Sequence, residues 1–317
     1  MERLFGCSIQ EQIVCKVGCG MLKSRRKILQ ASAGKGIVSM AVPTRSLFAL
    51  CAVLVAAACS MLPAAQSAKR AAPTVWLMGE VHDNPQAHQA RYEIIANKVK
   101  QGWRPAIVME QFDREHQGLL RTAQDECKTA ACITSKPWAE KWQWELYEPI
   151  IQLALDYQLP LLAANVSRED ANRIVKGGYA AALDPDTIAH YELNQPLPTT
   201  MAEQHRRNIV EGHCNMLPPH VAEKMIPAQV ARDVWMANVI AQQAEQRDVV
   251  LIAGNGHVQK DVGVLQWLPV TLQQTTTVYG FIENSQAGGS EQFDVLAQVP
   301  AHPREDPCEA FKAMMKK

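Results

Sequence analysis

The sequence lacks the short motifs that mark the common hydrolases. Neither H-E-x-x-H nor G-x-S-x-G occurs in its 317 residues, which excludes the zincin and the ordinary α/β-hydrolase mechanisms. No C-x-x-C pair is present either, so nothing indicates a structural zinc. Internal repeats and low-complexity tracts are also missing, which excludes a solenoid or a fibrous array.

An excess of one charge is absent too, since 32 basic residues balance 32 acidic ones. Residues 1–58 hold 8 of the basic residues and 2 of the acidic ones, so the remainder carries a net charge of −6. This balance gives no sign of a nucleic-acid-binding surface. With 47% hydrophobic residues, the chain can bury a full core in one large domain or two small ones.

No run is long enough to span a bilayer comfortably, but SLFALCAVLVAAAC has the length of a signal-peptide core. Its final alanines precede Cys59 as in a bacterial lipobox, where the cysteine is acylated and becomes the mature N-terminus. Residues 1–58 are therefore predicted to be an upstream extension and signal peptide, and residues 59–72 a lipidated cysteine and tether. Cleavage nearer PAAQSA, which would release a plain secreted protein, stays open, as does a start at Met21 or Met40.

The residue after the lipobox cysteine indicates where a lipoprotein is sorted. Ser60 stands there, and the absence of aspartate is typical of lipoproteins that are sent to the outer membrane. We therefore expect a lipid-anchored protein of the bacterial outer membrane that faces the periplasm.

Four cysteines follow the tether: Cys127, Cys132, Cys214 and Cys308. An even number in an oxidising compartment permits disulfides. The loop CKTAAC is short enough for Cys127 to pair with Cys132 if the backbone turns. Buried thiols are the alternative, above all for Cys214, which lies in a helical pattern.

Short apolar runs followed by turn residues predict six strands, over residues 74–79, 105–112, 159–167, 248–256, 275–282 and 293–299. Helical patterns separate the first three, at residues 85–100 and about 140–157. Strands that alternate with helices and are continuously apolar indicate a parallel sheet covered on both faces. Residues 168–246 contain no strand pattern and predict a helical subdomain. The expected fold of residues 73–317 is α/β, with a mostly parallel sheet flanked by helices and a helical insertion between the third and fourth strands.

Polar side chains stand where the first four strands end. The set is Glu80, His82, Glu110, Asn165, Arg168 and His257. Open α/β sheets bind ligands beyond the carboxyl ends of their strands. Carboxylates and imidazoles together can relay protons, hold a metal or fix a polar ligand. Two of the histidines, His82 and His257, each follow a glycine by three residues.

The helical segment contributes a second set, consisting of His205, His213, Met216, Met225 and Met236. The first two are eight residues apart, with Ile209 midway, and share one helix face. Methionine and histidine that face a planar apolar ligand are a common way to hold haem, and tyrosine is another iron ligand. Tyr92, on the first predicted helix, is the candidate tyrosine. No C-x-x-C-H is present, so covalent attachment of a c-type haem is excluded.

Taken in order, six stretches resemble the signatures of the ChaN-like haem-binding uptake proteins of the Tiki/TraB/erythromycin-esterase-like group. They are GEVHDNPQAH, IVMEQFD, AANVSR, GHCNMLP, AQVARDVWMA and GNGHV, spread over residues 74–265. The resemblance implies an exported lipoprotein with a parallel α/β core that binds haem in bacterial iron uptake. It also implies a tyrosine as axial ligand, but none of the six tyrosines lies inside a matched stretch.

Two classes of function follow. The first is a haem-binding lipoprotein whose partners are haem and the outer-membrane uptake machinery. The second is a metal-dependent or esterase-like hydrolase that uses His82, Glu80, Glu110 and His257, with His82 and His257 as ligands of a divalent metal. A homodimer that encloses two haems stays open, without support from any particular residue.

Overall fold

We describe the fold from a computed structural model, which describes residues 71–138, 142–284, 289–306, 308–309 and 312. The predicted signal peptide, Cys59 and most of the tether lie outside the described residues. Among the helices of the described part, none has the length and apolar character needed to cross a membrane.

The centre of the fold is a six-stranded parallel sheet in the order β3-β2-β4-β1-β5-β6. The strands are β1 Val75–Met78, β2 Ala106–Asp113, β3 Leu161–Asn165, β4 Val249–Ile252, β5 Thr276–Glu283 and β6 Val295–Val299. All residues of β1, β2 and β4 are buried, as expected for strands covered on both faces. The six predicted strands and the parallel sheet are confirmed.

Ten α-helices lie in the described part of the chain. They are α1 Pro85–Lys100, α2 Gln117–Glu126, α3 Ala130–Thr134, α4 Trp144–Asp156, α5 Arg168–Gly177, α6 Pro185–His190, α7 Thr199–Gly212, α8 Pro219–Ala244, α9 Asn255–Val258 and α10 Val270–Gln273. The bounds of α1 are those predicted, because Asn84 caps its N-terminus by accepting from two backbone amides and Pro85 starts it.

The helical insertion consists of α5 to α8 and has its own apolar core, which includes Ile209, Ile226 and Val230. The last and longest helix, α8, also packs on the sheet through Met236 and Ile240. The insertion is therefore attached to the sheet by a shared core, which confirms a helical segment between the third and fourth strands.

Two disulfides join the four cysteines, Cys127 to Cys132 and Cys214 to Cys308. Cys127 and Cys132 pair, as the short length of the loop between them allows. The alternative of a buried thiol at Cys214 is wrong, because α7 ends at Gly212 and the backbone then turns sharply. Cys214 and Asn215 both have a positive φ, of 59° and 56°, which directs Cys214 to the C-terminal segment.

Strand order decides which loops can meet. From β1 the chain crosses to β2 and β3 on one side, then returns to place β4 between β2 and β1. The carboxyl ends of β2, β4 and β1 are therefore adjacent, at the reversal of strand order where such sheets bind ligands. The end of β3 lies at the edge of the sheet.

Candidate functional site

The two Gly-x-x-His loops interlock at the ends of β1 and β4. A Cβ atom added to Gly79 would lie 2.2 Å from Asn255 Oδ1, and one added to Gly254 would lie 2.9 Å from His82 Nε2. Each glycine thus leaves the space that a side chain of the other loop fills. Distances this short exclude any larger residue unless the neighbouring side chain moves.

Backbone hydrogen bonds continue the pairing of β1 and β4 into these loops. Ala253 donates to the Met78 carbonyl at 3.2 Å, and Asn255 donates to the Glu80 carbonyl at 3.1 Å. The Asn255 amide side chain donates to the Phe281 carbonyl and accepts from the Phe281 amide. Both loops are therefore held by the sheet, a rigid support for the side chains that they carry.

Glu80 is buried and is the centre of a hydrogen-bond network. His82 Nδ1 lies 2.8 Å from Glu80 Oε1, which also accepts from the Tyr147 hydroxyl and from Gln111. Arg91 pairs with Oε2. Burial alone would raise the pKa of Glu80, but the Arg91 charge and the His82 hydrogen bond hold it well below its usual range. Glu80 is therefore an anion at neutral pH.

His88 closes the network into a ring. Arg91 donates to His88 Nδ1 at 2.9 Å, and His88 Nε2 lies 3.0 Å from the His82 carbonyl oxygen. Since arginine can only donate, His88 Nδ1 is unprotonated and Nε2–H donates to His82. Burial and the Arg91 charge lower the pKa of His88 to about 4, which agrees with this neutral form.

His82 differs from the groups behind it because 46% of its side chain is exposed. Burial would lower its pKa, but the hydrogen bond with Glu80 and the charge of Glu110 raise the pKa to about 9. The ring of Trp142 packs edge-on against it, with centroids 5.0 Å apart. His82 is thus oriented by a carboxylate, supported by an aromatic ring and open to solvent.

A second carboxylate–imidazole pair lies beside the first. His257 Nδ1 is 2.6 Å from Asp233 Oδ1, and His257 Nε2 is 3.5 Å from Glu110 Oε1. Glu110 Oε2 accepts from the Gly254 amide at 2.7 Å. Burial opposes the charged ring, but Asp233 and Glu110 raise the pKa of His257 above its usual value.

Two polar atoms at this pair are buried without a hydrogen-bond partner in the described part of the chain. They are the second carboxylate oxygen of Asp233, Oδ2, and Nε2 of the neighbouring His205. Burial lowers the pKa of His205, which keeps its ring neutral at pH 7. Buried polar atoms without a protein partner usually contact water or a ligand. The wall formed by α7 and α8 is therefore polar as well as apolar.

A cleft of about 750 Å³ brings these groups together. Loop residues Glu80–Asp83 and Gly254–His257 form one wall, and α7 and α8 form the other with His205, Asn208, Ile209, Gly212, His213, Gln229 and Asp233. His213 Nδ1 lies 2.7 Å from the Ile209 carbonyl oxygen. The volume is within the range of about 300–1,000 Å³ that is usual for small-molecule sites.

Five of the predicted site residues line this cleft, namely Glu80, His82, His205, His213 and His257, and Glu110 contacts two of the residues that line it. Asn165 and Arg168 do not line it, because β3 is an edge strand. The Asn165 side chain donates to Asp113 instead, and Arg168 is exposed.

The remaining predicted residues lie elsewhere. Tyr92 packs against the core on the α1 side of the sheet, and Met225 packs in the core of the helical insertion. Met236, on α8, is fully buried in the core that this helix shares with the sheet. Met216 is half-buried and does not line the cleft. All six tyrosines belong to the described residues, and none lines the cleft.

Four residues around the site were not predicted from the sequence, namely Arg91, His88, Tyr147 and Trp142. The spacing of His88 and Arg91, three residues apart on the helix that follows the first loop, was an available signal. Tyr147 and Trp142 lie in KPWAEKWQWELY, an aromatic-rich stretch that the strand pattern does not highlight. Within the described residues, no three histidine, cysteine or acidic side chains form a group that could hold a metal ion.

One solved structure shares this fold, and two others are more weakly similar. The one described as "Cofacial heme binding to ChaN of Campylobacter jejuni" superposes with a TM-score of 0.54 at 20% identity, over 71% of this chain and 87% of that chain. The type III effector HopBA1 matches at a TM-score of 0.40 and 12% identity over 72% and 88% of the two chains. A mutant of erythromycin esterase EreC in its open conformation matches at 0.40 and 12% over 70% and 75%. The last two likenesses are too weak to carry an argument about function.

The parallel sheet flanked by helices defines an α/β protein, with a cleft at the carboxyl ends of its strands. Residues 67–268 match the family described as "Haem-binding uptake, Tiki superfamily, ChaN", and the chain belongs to this family. No curated protein matches the sequence.

Proposed function

We propose that this chain binds haem in the cleft and takes part in haem or iron uptake. In this proposal it is an exported lipoprotein, anchored through Cys59 to the outer membrane on the periplasmic side, with the uptake machinery as its partner. The observation that carries the proposal is the orientation of His82. Its Nδ1 faces Glu80, so its Nε2 is the nitrogen that would bind iron, with release of the Nε2 proton that the raised pKa of His82 retains at neutral pH, in a member of a haem-binding family.

The residues of the cleft fit haem in their donor chemistry. Histidines that ligate metals usually donate their other ring N–H to a carboxylate or a carbonyl. His82 does so to Glu80, and His213 Nδ1 is placed to do so to the Ile209 carbonyl. When bound, haem would supply an iron atom that an imidazole can ligate. His82 would hold the iron, and Val81 and Ile209 would contribute apolar surface.

The network behind His82 has a defined task in this proposal. Glu80 keeps the His82 ring in one orientation, and Arg91 keeps Glu80 ionised. His88 fixes the backbone of His82 through the carbonyl oxygen. The imidazole is therefore held before the ligand arrives, which lowers the ordering cost of binding.

The test is a hemin titration of the purified chain, followed by Soret absorbance, with metal analysis of the same sample. We expect His82→Ala to weaken hemin binding by about 100-fold or more, since an axial ligand contributes more than the 10- to 100-fold of an outer-shell partner. His220→Ala is the matched control, because His220 is exposed at the start of α8 and outside the cleft. Equal affinity in the wild type and His82→Ala would refute the assignment.

A tyrosine ligand is the competing arrangement within the same function. Tyr92→Phe removes only a hydroxyl group, from a half-buried ring that packs against the core. We expect its hemin affinity and Soret position to equal those of the wild type. A loss of hemin affinity in Tyr92→Phe but not in His82→Ala would mean that haem binds on the α1 side of the sheet.

The anchor is tested separately. Cys59→Ala should prevent incorporation of a labelled fatty acid and release the protein from the membrane fraction. Cys51→Ala, which changes a cysteine inside the signal-peptide core, is the matched control and should leave both unchanged. A Cys59→Ala protein that still sediments with the outer membrane would contradict the lipid anchor.

A metal-dependent or esterase-like hydrolase is the second candidate. The observation that favours it is the pair of carboxylate-bound imidazoles, Glu80–His82 and Asp233–His257, with Glu110 beside both. Such pairs suit general acid–base catalysis. Stoichiometric zinc or manganese, together with ester hydrolysis that His257→Ala abolishes, would support it. A Soret change without bound metal would favour haem.

A further inference from the structure

The chain after β6 contacts both walls of the cleft. We define the C-terminal strap as residues 300–306 together with Cys308. It follows the last strand and lies beyond the part of the chain that matches the family, which ends at residue 268. Its contacts are therefore a feature that the family match does not cover.

The first end of the strap is held at the β1 loop. Asn84 donates to the Pro300 carbonyl at 2.9 Å. Arg304 Nε pairs with Asp83 Oδ2 at 2.8 Å, and Arg304 Nη1 donates to Glu283 at 3.0 Å. Asp83 lines the cleft directly after His82, so the strap is fixed to the wall that carries the proposed ligand residue.

The other end is held covalently at the opposite wall. Cys308 forms a disulfide with Cys214, which directly follows His213 at the end of α7. Gly212 and His213 line the cleft. The strap therefore connects the β1 loop, which belongs to one wall of the cleft, to the end of α7, which belongs to the other.

The turn at this disulfide has an unfavourable backbone. Cys214 and Asn215 have successive φ values of 59° and 56°, in the left-handed region that residues other than glycine rarely occupy. Such conformations persist where surrounding contacts impose them. Backbone hydrogen bonds from Cys214 to Glu211 and from Asn215 to Val210 hold the turn together with the disulfide. Loss of the disulfide would leave these hydrogen bonds alone to hold the turn and the end of α7.

The two disulfides differ in what they can control. Cys127 is buried at 3% exposure, and its bond to Cys132 closes a loop between α2 and α3 whose residues do not line the cleft. Cys132 is half-buried, as are both Cys214 and Cys308, so a reductant can approach the second bond from either of its cysteines.

We propose that the bond between Cys214 and Cys308 is a thiol–disulfide exchange site that controls opening of the cleft. The co-reactant is a dithiol. One of its thiolates attacks one sulfur, the other cysteine leaves as a thiolate, and the second thiol then releases the first cysteine. The dithiol is oxidised to a disulfide, and two electrons and two protons pass to the cysteines. The reduced strap releases the end of α7 and opens the cleft.

The role in haem release rests on the proposed function, whereas the opening itself does not. If reduction makes the ligand leave ten times faster and does not change its rate of entry, the reduced form binds the ligand tenfold more weakly. By reciprocity, bound ligand then makes the disulfide harder to reduce. A tenfold difference in affinity equals a shift of about 30 mV in the midpoint potential of this two-electron couple.

The experiment is hydrogen exchange of the Cys127→Ser/Cys132→Ser variant, in which a dithiol can reduce only the strap disulfide among the described cysteines. On reduction we expect amides of residues 209–216 to exchange about tenfold faster, within the usual range of coupling between sites. Cys214→Ser/Cys308→Ser should match the reduced form, and the Cys127→Ser/Cys132→Ser variant should match the wild type when oxidised. Unchanged exchange at residues 209–216 on reduction would overturn the proposal, even if Cys214→Ser/Cys308→Ser does not fold.

Hemin transfer to apomyoglobin is the second measurement on the same samples. Release about tenfold faster from the reduced form supports control of the haem site. If neither form binds hemin, the proposed function fails, and faster exchange on reduction still supports the strap. Equal release rates from the two forms would overturn the regulatory role.

Discussion

Gly254→Ala separates the role of His82 from the stability of the fold. The added Cβ would lie 2.9 Å from His82 Nε2 and 3.0 Å from His82 Cε1, but 3.8 Å from the nearest Glu110 oxygen. Only the His82 ring must move, and it can, because 46% of its side chain is exposed. The movement breaks the 2.8 Å contact with Glu80, which contributes about 1 kcal/mol to the free energy of unfolding.

The expected loss of ligand is larger than the loss of stability. If His82 is the axial residue, displacing its ring should weaken hemin binding at least about 10- to 100-fold, the range seen when the support of a ligand is removed. Urea unfolding measures the first quantity and a hemin titration the second. A Gly254→Ala/His82→Ala double variant should bind no more weakly than His82→Ala, since both changes remove one interaction.

Gly118→Ala is the matched control, in helix α2 and outside the lining of the cleft. An added Cβ there meets nothing within 4 Å, and alanine is favoured over glycine inside a helix by about 1 kcal/mol. Its stability should be equal or higher and its hemin affinity unchanged. A folded Gly254→Ala protein with the affinity of Gly118→Ala would refute the assignment of Nε2 as the ligand nitrogen.

Three further substitutions or titrations test the surroundings of the site. Gly79→Ala should lower the free energy of unfolding by about 2 kcal/mol in urea, the usual effect of overpacking, because its Cβ would lie 2.2 Å from the nearest atom of the other loop; a smaller change would mean that the loops can separate. Arg91→Met should cost about 3–5 kcal/mol because it removes the buried positive charge that is paired with Glu80 Oε2. Arg173→Met, at a side chain 53% exposed, should cost less than about 1 kcal/mol. In the ligand-free protein the His82 ring should titrate near its raised pKa of about 9 by NMR; its contribution to stability is complete below about pH 6.5 and lost as pH rises through about 9. A midpoint near 6.5 would contradict the contact with Glu80.

The strands and the first helix could be predicted because their signals are local. A buried parallel strand is continuously apolar, and Asn84 followed by Pro85 marks a helix start wherever it packs. The cluster at the ends of β1, β2 and β4 followed from one general rule about parallel sheets. The same rule placed Asn165 and Arg168 at the rim because the sequence does not reveal strand order. The structure places β3 at the sheet edge, away from the cleft.

Pairings between distant elements could not be predicted. Arg91 reaches Glu80 from α1, and Tyr147 reaches it from α4. Neither contact produces a periodic pattern in the sequence, because a buried ion pair or hydrogen bond needs only one suitable residue on each element. Cys214 was misread for a related reason. Its helical pattern ends at a turn with positive φ, and a residue other than glycine in that conformation is imposed by tertiary contacts.

The interlocked loops separate the glycines of the paired Gly-x-x-His motif, which concern packing, from the two histidines, which differ in exposure. The glycines are explained by the structure alone, since each leaves space for a side chain of the other loop. The two histidines differ in exposure, because the His82 side chain is 46% exposed and that of His257 is 13% exposed. In the proposed function, this difference in exposure favours ligand contact at His82, whereas His257, between Asp233 and Glu110, is placed to hold a proton. His257→Ala should therefore reduce hemin affinity much less than His82→Ala, and an equal or greater loss would mean that the ligand lies deeper, against α8.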